Sequence, residues 1–334
     1  MTPEIIALFT DTIQSEAAKR FGLESDNIKV LDGFENFVCQ CQKDGKPFIL
    51  RISHPSHRSE DQISAELHWV NYLSENNVSV CTPILSTDGS LTESIPGDSC
   101  DFVAVAFEKA KGGIVRRNDQ TDAMAANRGS VIGRIHALTK DYRPISDSIK
   151  RLHWYEDSDF TRFDHYLPDS DSHIKDKIHN LIAELRSIPT DRENYGLIHM
   201  DAHTGNMFFD GDQSTLFDFD DCTYDFFVSD IAIPLFYMVL FLPEEYDRTE
   251  FALNFLKHYM AGYRKENDLD ERLLRYVPLI LKRRQMILFV AIHRGMDMNN
   301  LDEWCTNYLK EARESIENDI PVLDIDFSKL RLHA

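Results

Sequence analysis

The chain has 334 residues, enough for two domains or two lobes of one large domain, and its 43% of hydrophobic residues suffice for a core. With 36 basic against 56 acidic side chains the net charge is −20, a surface that repels phosphate backbones and argues against a nucleic-acid partner. No apolar run reaches the roughly eighteen residues of a membrane span, so no membrane partner is expected; the richest stretch, IAIPLFYMVLFLPEEY, is broken by Pro234 and Pro243.

In chain order, MTPEIIALFTDTIQSEAAKR carries acids early and reads as an amphipathic helix, not a signal peptide. IKVLDGF and NFVCQCQ are strand-like, KDGK is a tight-turn signal, and PFILRIS is the next strand. SEDQISAELHWVNYLSENN spaces Ile63, Leu67, Val70 and Leu73 as one face of a helix. VCTPILSTDGSLTESI reads as a pair of short strands around an Asp-Gly turn, and DFVAVAFEKA as a buried strand ended by KGG. Beyond Asp119 the pattern turns helical in TDAMAANRGSVIGRIHALTK and DSHIKDKIHNLIAELRSI, with short strands and polar loops from Tyr195 to Asp221 and helices from Ser229 to about Glu317. A mostly β region before a mostly α region predicts an α+β, bilobal chain. The expected division is a lobe over 1–108, with an antiparallel sheet and one helix, and a helical lobe over 109–334, with a ligand cleft between them. The six cysteines contain no C-x-x-C pair and read as reduced thiols of a cytoplasmic protein; Cys39 and Cys41 share one face of their strand.

The informative segment is His199-Met200-Asp201-Ala202-His203-Thr204-Gly205-Asn206, followed by Asp218 in LFDFDD. Phosphoryl transfer from ATP needs a carboxylate to orient the attacking hydroxyl, oxygen ligands for Mg²⁺, a cation on the phosphates, and a strand-turn-strand to cover them. Asp201 and Asn206 have the Asp-x4-Asn spacing of a kinase catalytic loop, and Asp218 follows a short apolar strand where a metal-binding carboxylate is expected.

HMDAHTGNMFFDG, LFDFDDC and SDIA, in that order, resemble the H-G-D-x-H-x-x-N, I-D-F-D-D and D-L-A pattern of the aminoglycoside phosphotransferase and choline kinase superfamily, the small-molecule branch of the kinase-like fold. The resemblance covers about thirty continuous residues, with weaker echoes over most of the chain, and is specific for the superfamily but not for a substrate. It implies Asp201 as catalytic base, His199 as support of the loop, Asn206 and Asp218 as metal ligands, and Asp230 as a structural partner. Gly33, Glu35 and Asn36 fall at the phosphate-covering turn, Arg51 where many kinases place a phosphate-binding lysine, and Glu66 as its helix partner. Phe107 and Glu108 fall at the hinge, with adenine expected along Phe107 to Ala110. GRIHAL matches the long helix of the second lobe. Met200 departs from the pattern, standing where glycine is usual.

Around this set, His203 is assigned to loop shape or substrate contact, and Asp221 to substrate or to a carboxylate behind the metal, with a plain solvent acid as the alternative. Asp220, in a short extended run, points opposite to its neighbours and receives no role. His54 and His57 read as a polar loop, and His293-Arg294 either contacts substrate or balances a helix end. The expectation is an ATP- and Mg²⁺-dependent phosphotransferase acting on a hydroxyl of a small, amino-bearing molecule: aminoglycoside, choline-like, homoserine-like or sugar. The alternative is an atypical protein Ser/Thr kinase of the same superfamily, although no activation segment ending in an A-P-E-like motif follows Asp218. Monomer and homodimer both remain open.

Overall fold

The computed structural model describes residues 1–330 apart from Thr2, Asp32, Arg117, Asn118, Asp157 and Glu244. The chain forms two compact units. The first is Met1–Gly113 with Tyr142–Arg151 and Thr215–Asp220; the second is Ile114–Asp141, Leu152–Ser214 and the chain from Asp221 onward.

The first unit opens with α1 (Pro3–Leu8) and α2 (Asp11–Arg20), the latter capped by Thr10, whose hydroxyl accepts from the Ile13 amide at 3.3 Å. Strands β1 (Lys29–Leu31), β2 (Phe37–Lys43) and β3 (Lys46–Ser53) lead to α3 (Glu60–Glu75), and β4 (Pro83–Ile84), β5 (Glu93–Ile95) and β6 (Phe102–Glu108) follow. The sheet runs β1-β2-β3-β6-β4, with β5 also on β6, and every pairing is antiparallel. The KDGK signal acts as expected: Asp44 and Gly45 have φ of 54° and 72°, the left-handed pair that matches hairpin twist.

The two-residue period of a strand then decides what meets what. Cys39, Cys41, Leu50, Ile52, Ala104 and Ala106 form one face, packed with Ile13, Ala17 and Ala18 of α2 and with Phe21 just after it. Val103 and Val105 face the other way, against Ile63 and Leu67 of α3. Arg51 is in register with Val105 on that second face, so its guanidinium reaches Glu66 of α3. The helix is fixed at its start by a capping box between Ser59 and Gln62. All six cysteines are free thiols, and burial pushes the Cys41 thiol up to about 12.

The second unit carries α4 (Asp122–Thr139), the short α5 (Ser158–Thr161) and α6 (Phe163–Tyr166), and α7 (Ser172–Arg186). Then come β7 (Tyr195–Ile198), β8 (Met207–Asp210), β9 (Gln213–Leu216), which leads out into the first unit, and β10 (Thr223–Phe226). The chain ends in α8 (Ser229–Leu240), α9 (Arg248–Tyr263), α10 (Val277–Gly295) and α11 (Glu303–Glu317). Helices α4 and α9 cross with their backbones in contact: a β-carbon on Gly129 would lie 1.9 Å from the Tyr259 carbonyl oxygen, and one on Gly262 1.7 Å from that of Ala126.

Pro234 does not break the apolar stretch as the sequence suggested; it sits inside α8. Proline withholds the N–H that the Asp230 carbonyl, four residues back, would accept. The Tyr259 hydroxyl donates to that carbonyl instead, at 2.8 Å, so no buried acceptor is orphaned. Among the described residues no helix is long and apolar enough to cross a membrane.

Candidate active site

In the second unit, β7 delivers the chain to a loop that Asp230 holds from beneath. The Asp230 carboxylate, fully buried in the first turn of α8, accepts from the amides of His199 (2.9 Å) and Met200 (2.8 Å). His136 of α4 approaches the same carboxylate at 3.3 Å and meets the Tyr263 hydroxyl at 2.8 Å with its other nitrogen. The buried His199 accepts from the Asp201 amide through Nδ1 at 3.2 Å, so the backbone of Asp201 is fixed before its side chain does anything.

Both oxygens of Asp201 are engaged. Oδ2 accepts from Asn206 Nδ2 at 3.0 Å, a nitrogen that also donates to the Asp201 carbonyl at 3.0 Å. His203 Nδ1 accepts from the Gly205 amide at 2.8 Å; in the neutral ring this leaves the proton on Nε2, 3.4 Å from Asp201 Oδ2. Oδ1 accepts from Nη2 of Arg284 on α10. Burial alone would raise the Asp201 pKa, but Arg284 above all, with His203 and His199, brings it down to about 2. The Tyr237 hydroxyl of α8 holds Arg284 in turn, accepting from Nε at 3.1 Å and from Nη2 at 2.6 Å.

Met200 has φ of +69°, which explains the glycine usual at this position in the resembled pattern. A side chain there costs on the order of 1 kcal/mol in backbone strain. Its thioether faces Arg283 at 3.8 Å and helps line a cavity of about 60 Å³ with Trp154, Phe160, Asp221, Thr223, Arg283, Arg284 and Ile287. Arg283 is committed elsewhere, to the buried Asp225 and, at 3.1 Å, to Ser229.

The first unit gathers a second charged cluster. Arg51, 4% exposed, grips Glu66 with two parallel hydrogen bonds of 2.8 and 2.7 Å and lies 5.4 Å from the Phe107 ring. Asp218, with φ of +62°, belongs to this unit and is one of the carboxylates whose charge favours protonated Arg51. Gly33 is required by a close approach: a β-carbon would lie 2.2 Å from the Asn36 carbonyl oxygen. Asn36 Oδ1 accepts from Ser53 Oγ at 2.6 Å, and Glu35 lies 3.8 Å from His57. Glu108 and Ala110 are engaged apart from the Arg51 cluster, the former through its amide to the Thr82 carbonyl at 2.9 Å and the latter through its backbone to the Cys81 thiol.

Asp220 departs from expectation. Residues Phe219–Asp221 form a 3₁₀ turn, not an extended run, so alternation does not apply and the side chain turns inward. It is 5% exposed, bonded to His57 at 2.5 Å and 3.8 Å from Arg51, while its carbonyl accepts from Arg151 (2.7 Å) and Arg58 (3.3 Å). His57 is thus no mere loop residue. Arg284 and Tyr237 were also passed over; the only trace in the sequence is Arg283-Arg284, two cations inside an apolar helical run.

Burial alone would lower the His57 pKa, and Asp220 raises it above 6.5; burial would raise Asp220, and His57 first among the cations takes it well below 3.8. The contribution of His57 is fully present below pH 6.5 and is lost as pH climbs through its raised value. That of Asp220 is present above pH 3.8 and is lost as pH falls through its depressed one. His57→Gln is therefore expected to destabilise the protein by about 1–3 kcal/mol at pH 5.5 and by less at pH 9, read from urea unfolding at the two pH values.

These features define a kinase-type phosphotransferase of α+β kinase-like fold. The chain belongs to the phosphotransferase enzyme family APH, whose model matches residues 27–271. It is 35% identical over 323 residues to the amicoumacin kinase of Bacillus subtilis (strain 168), covering 96% of each chain. Among solved structures it is similar to an amicoumacin kinase in complex with AMP-PNP, Ca²⁺ and Ami (TM-score 0.93, 31% identity, 99% of this chain and 100% of that one). A microcompartment-associated aminopropanol kinase shares the fold (TM-score 0.73, 19% identity, 92% and 95% covered).

Proposed function

We propose that this chain is a cytoplasmic, ATP- and Mg²⁺-dependent kinase that transfers the γ-phosphate to a hydroxyl of a small, amino-bearing molecule, with amicoumacin the first acceptor to try. The observation that carries this reading is Asp201, fixed through its backbone by His199 and kept ionised by Arg284. A carboxylate so held aligns a hydroxyl and receives its proton as the bond to phosphorus forms.

Asn206 and Asp218 suit a magnesium ion because both offer hard oxygen donors. The Asn206 amide nitrogen is spent on Asp201, which leaves its oxygen for the metal. When bound, the ion neutralises phosphate charge and orients the donor. Magnesium takes phosphate oxygens and water as its remaining ligands, so two protein oxygens suffice. In this reading Arg51, braced by Glu66, contacts the phosphates, the turn of Gly33, Glu35 and Asn36 covers them, and the backbone from Phe107 through Glu108 to Ala110 takes adenine. His203 and Asp221 face the acceptor, where the Asp221 carboxylate suits an ammonium.

The relative that acts on amicoumacin and the neighbour holding AMP-PNP, Ca²⁺ and Ami support the same choice of donor, divalent ion and small acceptor. The decisive experiment incubates the purified chain with Mg-ATP and a set of amicoumacin, choline, aminoglycosides, homoserine, sugars and mixed lysate protein. A phosphorylated small molecule, absent without Mg²⁺, is the expected result. Phosphate found on protein alone moves the assignment to an atypical protein kinase, and the absence of any transfer overturns it.

A further inference from the structure

Arg284 spends only part of its guanidinium on the protein. Nη2 serves Asp201 Oδ1 and the Tyr237 hydroxyl, and Nε serves that hydroxyl again. Nη1 donates to none of the described residues, yet it is not among the buried side-chain nitrogens left without a partner, so its two hydrogens are open to an incoming molecule. The residue lines the cavity of about 60 Å³ that also holds Met200 and Asp221, room for several waters or a small polar group. Two anchors, Asp201 and Tyr237, keep it from swinging away.

The position fixes what Nη1 recognises. Nη1 and Nη2 share one carbon, so whatever bonds Nη1 lies within a guanidinium's width of the carboxylate that receives the reacting hydroxyl. An arginine donates and cannot accept, and its permanent charge repels a second cation while attracting an oxygen lone pair.

We propose that Arg284 determines acceptor specificity by donating from Nη1 to a carbonyl-type oxygen placed within about two carbon atoms of the hydroxyl that Asp201 receives. This rests on the kinase reading above and deepens it: the substrate class becomes hydroxy-amines that also carry an amide or ester carbonyl, with the amine at Asp221 and the carbonyl at Arg284. Simple amino alcohols lack the second feature and bring no acceptor to Nη1.

Two probes separate the possibilities. L-Threoninamide and 1-amino-2-propanol share the hydroxyl and the amine and differ by one carboxamide. Wild-type kcat/KM is expected to favour threoninamide by about tenfold or more, mostly through KM. In Arg284→Met the ratio falls to within about twofold of unity, and Arg284→Lys restores part of it because an ammonium still donates. Equal kcat/KM for the two probes in the wild type overturns the proposal, as does a preference that survives in Arg284→Met. If neither probe is used while another acceptor is phosphorylated, this inference falls and the kinase reading stands. If calorimetry finds no Mg-ATP binding and no acceptor is phosphorylated, the kinase reading falls first and the inference with it.

Discussion

Asp201→Asn is expected to lower kcat by about 10³–10⁴-fold while Mg-ATP affinity stays within a few-fold. The substitution keeps the size of the side chain and its grip on Arg284 through one oxygen. It replaces a basic carboxylate by an amide whose oxygen hardly takes a proton, and it sets the new NH2 against Asn206 Nδ2, a donor already, across the present 3.0 Å contact. Donor against donor in a part-buried site costs about 1–3 kcal/mol, so a modest drop in stability accompanies the loss of turnover.

The two effects separate with pH. A carboxylate taken from 3.8 in the unfolded chain to about 2 in the native one contributes on the order of 2 kcal/mol. That contribution is whole above pH 3.8 and vanishes as pH falls through about 2. The stability gap between wild type and Asp201→Asn should therefore shrink in acid, whereas the activity gap at any pH above 4 should not. A variant that keeps more than about a tenth of wild-type kcat would remove Asp201 from the chemistry. With a pKa near 2 the residue is a weak base, so the role proposed for it is orientation first and proton acceptance late, as fits a transition state with little bond formation to the nucleophile.

Much of this was legible in the sequence because it rests on local rules. The Asp-Gly turn, the alternation in PFILRIS that turns Arg51 away from Leu50 and Ile52, and the helical spacing in SAELHW that carries Glu66 all follow from periods of two and 3.6. The Asp201–Asn206 contact spans five residues and was readable as a spacing. What escaped notice depends on tertiary placement. Arg284 lies 83 residues from Asp201, and His57 lies 163 from Asp220. No local pattern signals which exposed-looking cation in a helix or loop will be folded onto a carboxylate. Asp220 differs for another reason: Phe219–Asp221 form a turn, where strand alternation does not govern the direction of a side chain. Pro234 sits in a helix against its local propensity because the hydroxyl that compensates for its missing N–H comes from another helix.

Arg51→Met should be the most destabilising single change in the first unit, at about 3–5 kcal/mol by urea unfolding. Glu66 is fully buried and Asp220 5% exposed; the arginine is the partner of the first and lies 3.8 Å from the second. Among the described residues its removal leaves Glu66 with no ion-pair partner, while Asp220 keeps His57 and the nearby charge of Arg58. Against a total stability of about 5–15 kcal/mol that is a large share, and any ATP affinity due to Arg51 is lost as well. Arg51→Lys separates charge from geometry. Lysine keeps the charge and gives up one of two parallel bonds, but it also discards Arg51 Nε, a buried N–H that has no partner. The two changes oppose each other, so the lysine variant should lie within about 1–2 kcal/mol of wild type. Arg51→Met combined with Glu66→Leu should recover part of the loss, since removing both members of a buried pair costs less than stranding one; a double variant no more stable than Arg51→Met would mean that Asp220, not Glu66, is the charge that Arg51 chiefly neutralises.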